Sequence, residues 1–178
     1  AGRNWAAPLE IVKQTSPFGP RWGRLHAGVD LDLETGYPVF SVFDGIVRVS
    51  HYDRSGYGNY VLVRHYNGFE TLYGHLASPG LEPGTIVKAG DQIGVGGSTG
   101  RSSGPHLHFE TRYEGNPMNP KNVYNFNPFE PVSDHITITS RSFDTRSLTL
   151  KNEYGSKQRY WDSAVFLDTS YLRYPFHQ

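Results

Sequence analysis

The 178-residue sequence carries eight histidines and no cysteine. Any transition-metal site must therefore be assembled from imidazole and carboxylate groups, and disulfides, thiolate ligation and cysteine nucleophiles are excluded. Four histidines stand in glycine-bounded segments that can converge. In the first, His26-Ala27-Gly28-Val29-Asp30, the two ends of a straight strand would lie about 13 Å apart, so sharing one ion requires a bend at Ala27-Gly28, which Gly28 permits. In the second, His106-Leu107-His108-Phe109-Glu110, period-2 alternation puts both histidines and Glu110 on one strand face, with Leu107 and Phe109 on the other. Same-face neighbours start about 7 Å apart, so one imidazole can bind a metal while the other reaches water or substrate. Glu110 can orient a ligand imidazole from behind, or stand as an exposed strand-end carboxylate. In the third, Tyr73-Gly74-His75-Leu76, the glycine beside a strand-end histidine admits a close approach by backbone or ligand.

These segments need strands to hold them. Twenty glycines, twelve prolines and 14% aromatic residues, with short apolar alternations between turn signals, predict an all-β chain of many short strands. The strands expected are 37–43, 46–51, 59–66, 69–73, 92–95 and 107–113. Asp44-Gly45, Ser55-Gly56, Asn67-Gly68, Pro79-Gly80 and Pro83-Gly84 supply the reversals, with Asn67-Gly68 the strongest hairpin signal. Beyond Asn127 the glycine density falls, and 136–139 and 148–151 alternate as half-buried strands do. The division expected is a main domain over 1–126 and an appended β-rich C-terminal segment over 127–178 packed on it.

Lys+Arg and Asp+Glu are each 17, so no global field or run of like charge marks a nucleic-acid or membrane surface as partner. No stretch approaches the roughly 20 apolar residues of a membrane span, and the N-terminal residues lack signal-peptide character. An exported protein would be present here in mature or trimmed form, without its signal or anchor, and a monomer is the default.

Taken in order, His26-x-x-x-Asp30, Tyr73-Gly74-His75-Leu76, the run from Val87 to Gly94 leading to Gly97-Ser98-Thr99-Gly100, and Pro105-His106-Leu107-His108-Phe109-Glu110 closely resemble the lysostaphin and LytM-type zinc metalloendopeptidases. Phe18-Gly19-Pro20-Arg21-Trp22-Gly23 fits the same pattern, and the resemblance covers 17–126. It implies an antiparallel β-sheet or β-sandwich core, duplicated-hybrid-motif-like, with loops around an open groove. It also implies one Zn²⁺ held by His26, Asp30 and His108, with His75 and His106 as catalytic imidazoles. The reaction implied is hydrolysis of peptidoglycan stem-peptide cross-links by a zinc-activated water, in the bacterial cell envelope (periplasm) or outside the cell. The alternative is a non-hydrolytic LytM-like regulator of cell-wall hydrolases, against which the five intact positions argue. Two imidazoles and one carboxylate leave a tetrahedral divalent ion one open position, as hydrolytic zinc requires. From the residues themselves, Arg21 is a candidate contact for a substrate carboxylate, and Tyr73 and Gly97 for lining the substrate groove.

Overall fold

Strand-forming alternations broken by glycine and proline give β1 (Gln14–Ser16), β2 (Gly19–Arg21), β3 (Arg24–His26), β4 (Val29–Asp32), β5 (Pro38–Phe40), β6 (Gly45–Asp53), β7 (Gly58–Arg64) and β8 (Phe69–Leu76). They continue with β9 (Ile86–Val87), β10 (Gln92–Val95), β11 (His106–Tyr113), β12 (Asn116–Met118), β13 (Tyr124–Phe126), β14 (Phe129–Pro131), β15 (His135–Ile138) and β16 (Val165–Asp168). The computed structural model describes residues 5–65, 68–132 and, as strand backbone, 135–138 and 165–168. The alternating stretch 148–151 lies outside the described residues. No helix among the described residues is long and apolar enough to cross a membrane.

The strands assemble into one eight-stranded antiparallel sheet in the order β1-β4-β11-β8-β7-β6-β9, with β12 paired to β11, and two-stranded ribbons β5–β10, β2–β3, β13–β14 and β15–β16. One sheet face carries the core. Val29, Leu31, Val61, Val63, Tyr73, Leu107 and Phe109 meet Val39, Phe43, Ile93 and Tyr124 from the ribbons and loops. Each such buried side chain contributes roughly 1.5–3 kcal/mol relative to exposure. The other face of β4 and β11 carries Asp30, His106, His108 and Glu110, so a single alternation sets both core and site.

β8 runs past its expected end at residue 73 through Gly74 and His75 to Leu76. β5 is shorter than the expected 37–43, because the Ser41 hydroxyl donates to the Phe43 carbonyl and turns the chain. The 65–69 reversal is closed by the His65 amide donating to the Phe69 carbonyl at 2.8 Å, with Gly68 at φ 81°. The β13–β14 hairpin crosses the 126/127 junction, and its Phe129 stacks on Tyr124 with ring centroids 4.7 Å apart.

A buried polar chain runs through the core. The Val42 amide donates to the Tyr73 hydroxyl, Tyr73 to Thr71 Oγ1, and Thr71 to His65 Nε2, while His65 Nδ1–H donates to the Asp44 carbonyl. Every donor is used only when the imidazole is neutral. Burial pushes its pKa down to about 4. The unfolded chain thus takes up a proton near pH 6.5 that the folded chain refuses until about pH 4, so stability falls as pH drops through that window, by on the order of 3 kcal/mol. Histidine-selective NMR should show His65 still neutral in the folded protein at pH 5.5; titration near 6.5 would contradict this arrangement.

Candidate active site

The first ligand pair is set by register. β11 and β4 are antiparallel with His108 directly opposite Asp30. His26 ends β3 and Asp30 lies in β4, and the bend between them falls at Ala27-Gly28. Gly28 has no left-handed backbone; a Cβ there would collide with the Phe109 carbonyl oxygen, so close strand packing, rather than the bend, demands glycine. His26 Nε2 comes to 3.1 Å and His108 Nδ1 to 3.2 Å from Asp30 Oδ1. The donor atoms of His26, Asp30 and His108 all lie within 4.8 Å of one another.

Four imidazoles are tethered by their outward nitrogens. His26 Nδ1 faces the Pro17 carbonyl at 2.7 Å, His75 Nδ1 the Thr99 carbonyl at 2.7 Å, His106 Nδ1 the Gly104 carbonyl at 2.9 Å and His108 Nε2 the Glu110 carboxylate at 2.9 Å. A carbonyl or carboxylate only accepts, so each tethering nitrogen carries the proton and the opposite nitrogen is bare in the neutral ring. The bare nitrogens of His26 and His108 therefore join a carboxylate oxygen in one small cluster, an arrangement that requires a cation. Burial alone would raise Asp30, but the His108 and His26 rings, which donate to it when protonated, hold its carboxyl far below the ordinary carboxylate range. Burial would likewise lower His108, but Asp30 and Glu110 on either side outweigh it and bring the ring to about 9. The cluster thus favours positive charge, whether carried by ring protons or by a cation, and the donor set suits a borderline-soft divalent ion such as zinc.

His75 and His106 stand beside this cluster, their ring centroids 4.6 Å apart. His106 Nε2 is 3.5 Å from Asp30 Oδ1. His75 has φ 62°, which breaks the pleat of β8 and is held by its amide donating to the Tyr57 carbonyl. A left-handed histidine inside a strand is the kind of local strain that functional sites retain. Burial pushes His75 down to about 4, with the Thr99 carbonyl opposing, so its ring is neutral with Nε2 free. All five residues open into a groove of about 850 Å³, lined also by Arg21, Trp22, Tyr57, Arg101 and the 102–105 loop.

Two expectations are corrected, at Tyr73 and Gly97, while Arg21 lines the groove with a partner inside the protein. Tyr73 is wholly buried, its hydroxyl committed to Val42 and Thr71, because its place on β8 faces the core. Gly97 does not line the groove; it packs on the Ala77 backbone, and its carbonyl accepts from the His106 amide, which anchors the start of β11. Arg21 meets the protein's own carboxylate, at 3.3 Å from Asp30 Oδ2 and 2.8 Å from Ser16 Oγ. Of the aromatics near the motifs, Trp22 and Tyr57 line the groove.

Glu110 is completely buried rather than exposed. Its Oε1 accepts from His108 and from the Tyr57 hydroxyl at 2.6 Å, and its Oε2 from Arg112 Nε at 2.7 Å, while Arg112 Nη2 donates to the Tyr57 oxygen. Burial would raise this carboxyl, but Arg112 first, then His108 and Tyr57, bring it to about 2. Alternation could have placed Arg112 on the face of Glu110; nothing local pointed to Tyr57, 53 residues upstream. Glu110→Gln would turn an amide N–H₂ toward one of three donors. Zinc affinity should fall about 10–100-fold in competition with a chelating dye, and an unchanged affinity would show that Glu110 does not position His108.

Residues 24–120, more than half of the chain, match the model of peptidase family M23. The chain belongs to peptidase family M23. This M23 chain is 46% identical over 123 residues to the DD-carboxypeptidase/endopeptidase Mpg of Neisseria meningitidis, covering 65% of the chain and 28% of that protein. Among solved structures it resembles a zinc-containing peptidase from Vibrio cholerae, with TM-score 0.61 and 35% identity, over 66% of this chain and 39% of the other. It also resembles the catalytic domain of lysostaphin from Staphylococcus simulans, with TM-score 0.58 and 31% identity, over 62% of this chain and 90% of that domain. The M23 chain thus spans about 28% of the curated relative's length, and its antiparallel β architecture is that of the family.

Proposed function

We propose that this M23 chain is a zinc metalloendopeptidase that hydrolyses peptide bonds in the stem-peptide cross-links of bacterial peptidoglycan, in the cell envelope or outside the cell. The observation that carries the reading is that four tethered imidazoles line one open groove, three of them within 3.5 Å of Asp30 Oδ1. His26, Asp30 and His108 would hold one Zn²⁺, which when bound supplies Lewis-acid activation of water and of a carbonyl oxygen. His75 and His106 move protons, because their Nε2 atoms are bare and face the groove. One takes a proton from the attacking water and one delivers a proton to the leaving amine. Asp30 stays ionised throughout, and Glu110 keeps His108 in the tautomer that leaves Nδ1 free. The name of the Neisseria relative supports a D,D-peptide bond as the target. Residues 127–178 are proposed as a β-rich extension packed on the domain at 1–126, a reading that the β13–β14 hairpin and the β15–β16 pairing support.

The test is digestion of purified sacculi by the zinc-loaded and the chelated protein, with fragments identified by mass. Loss of cross-linked dimers only with zinc is expected. Intact dimers with the zinc-loaded protein would remove the hydrolase reading in favour of a non-hydrolytic regulator.

A further inference from the structure

The β2–β3 hairpin breaks two local rules. Its two-residue turn is Trp22-Gly23, both left-handed at φ 51° and 74°, although such turns favour Asn-Gly and penalise a bulky aromatic at the first position. The indole gains no burial in return, since Trp22 is 89% exposed. Flanking the turn, Arg21 and Arg24 are direct cross-strand partners, a like-charge pairing that destabilises a ribbon. Departures of this kind are retained where they serve a site.

The hairpin walls a pocket of about 530 Å³ lined by Arg21, Trp22, Arg24, Leu25, His26 and Arg101. It shares Arg21, Trp22, His26 and Arg101 with the histidine groove, so the two spaces are continuous. Asp30 is the one carboxylate lining either space, and it is already matched by Arg21, His26 and His108. The side chains of Arg24 and Arg101 are exposed, and neither has a carboxylate partner among the described residues. The chain as a whole is charge-balanced, with 17 basic and 17 acidic residues, so this local surplus of guanidinium is not the by-product of a basic protein. The Arg21 guanidinium lies 4.9 Å from the Trp22 ring centroid, so the indole stands against the same basic cluster.

We propose that the pocket between Arg24, Arg101 and the Trp22 indole is a subsite for a free carboxylate on the peptide substrate, next to the scissile bond. Guanidinium forks match a carboxylate in two parallel hydrogen bonds, and the aromatic wall takes the adjoining apolar part of the ligand. The inference rests on the hydrolase reading and assigns Arg24 and Arg101 the contact that sequence had pointed to at Arg21.

The test uses two synthetic cross-linked peptides that differ only in a carboxylate or a carboxamide beside the scissile bond. Calorimetry on the metal-free chain should show the acid binding about tenfold more tightly than the amide, and the Arg24→Gln/Arg101→Gln double variant should bring the ratio within about twofold. With the zinc-loaded protein the same preference should appear in KM. Lys88→Gln removes a charge from an exposed position outside the groove and should keep the preference. Equal affinity of the unaltered chain for acid and amide overturns the subsite, and so does a preference that survives the double variant. A preference of the predicted size without cleavage of either peptide sinks the hydrolase reading and leaves the subsite standing.

Discussion

Asp30→Ala should abolish zinc binding and, with it, hydrolysis. The substitution removes the one anion from a cluster that otherwise contains the bare nitrogens of His26 and His108. It also leaves the Arg21 guanidinium, now 3.3 Å from Asp30 Oδ2, without its partner and facing the same pocket. A divalent cation would then meet a positive charge where it had met a negative one. The affinity loss should exceed the roughly 10–100-fold that outer partners of a metal site contribute, and turnover of sacculi should fall by more than about 10³-fold. Metal analysis after dialysis, with a thermal melt to establish that the chain is folded, checks both. One tightly held zinc per folded Asp30→Ala chain would refute the ligand assignment.

The second large effect is expected at His75 and His106, and its signature is opposite. His75→Ala and His106→Ala should each lower kcat about 10²–10⁴-fold, the range for loss of a positioned proton carrier, while retaining zinc. The two rings stand 4.6 Å apart by their centroids, so the double variant should cost much less than the product of the single effects if they serve one proton path. His106 is the sharper case, because its Nε2 is only 3.5 Å from Asp30 Oδ1. Loss of zinc from His106→Ala at full occupancy of His26→Ala would exchange the roles of those two residues.

Much of this site is written along the chain. Alternation in β11 separates His106, His108 and Glu110 from Leu107 and Phe109 without any tertiary knowledge, because a pleated strand has only two faces. The turn dipeptides and the density of short alternations predict an all-β chain, and the eight-stranded sheet agrees. Chain chemistry also announces that His26 and Asp30 can share an ion only across a bend, since an extended backbone holds them too far apart.

Other features depend on pairings between residues remote in sequence, which local pattern does not encode. The register that sets His108 against Asp30, 78 positions away, follows from how β4 and β11 lie in the completed sheet. The same assembly buries Glu110 and surrounds it with Tyr57 and Arg112, where strand periodicity left it either behind a ligand or at an exposed end. Tyr73 and Arg21 make the same point from opposite sides. A tyrosine beside a motif and an arginine before a ligand both read as substrate contacts, yet β8 turns Tyr73 into the core and the hairpin turns Arg21 onto Asp30. Residue type and spacing determined which side chains can do the chemistry. Only the assembled sheet, through register and burial, decided which carboxylates and cations each of them faces, because those partners come from strands remote in the sequence.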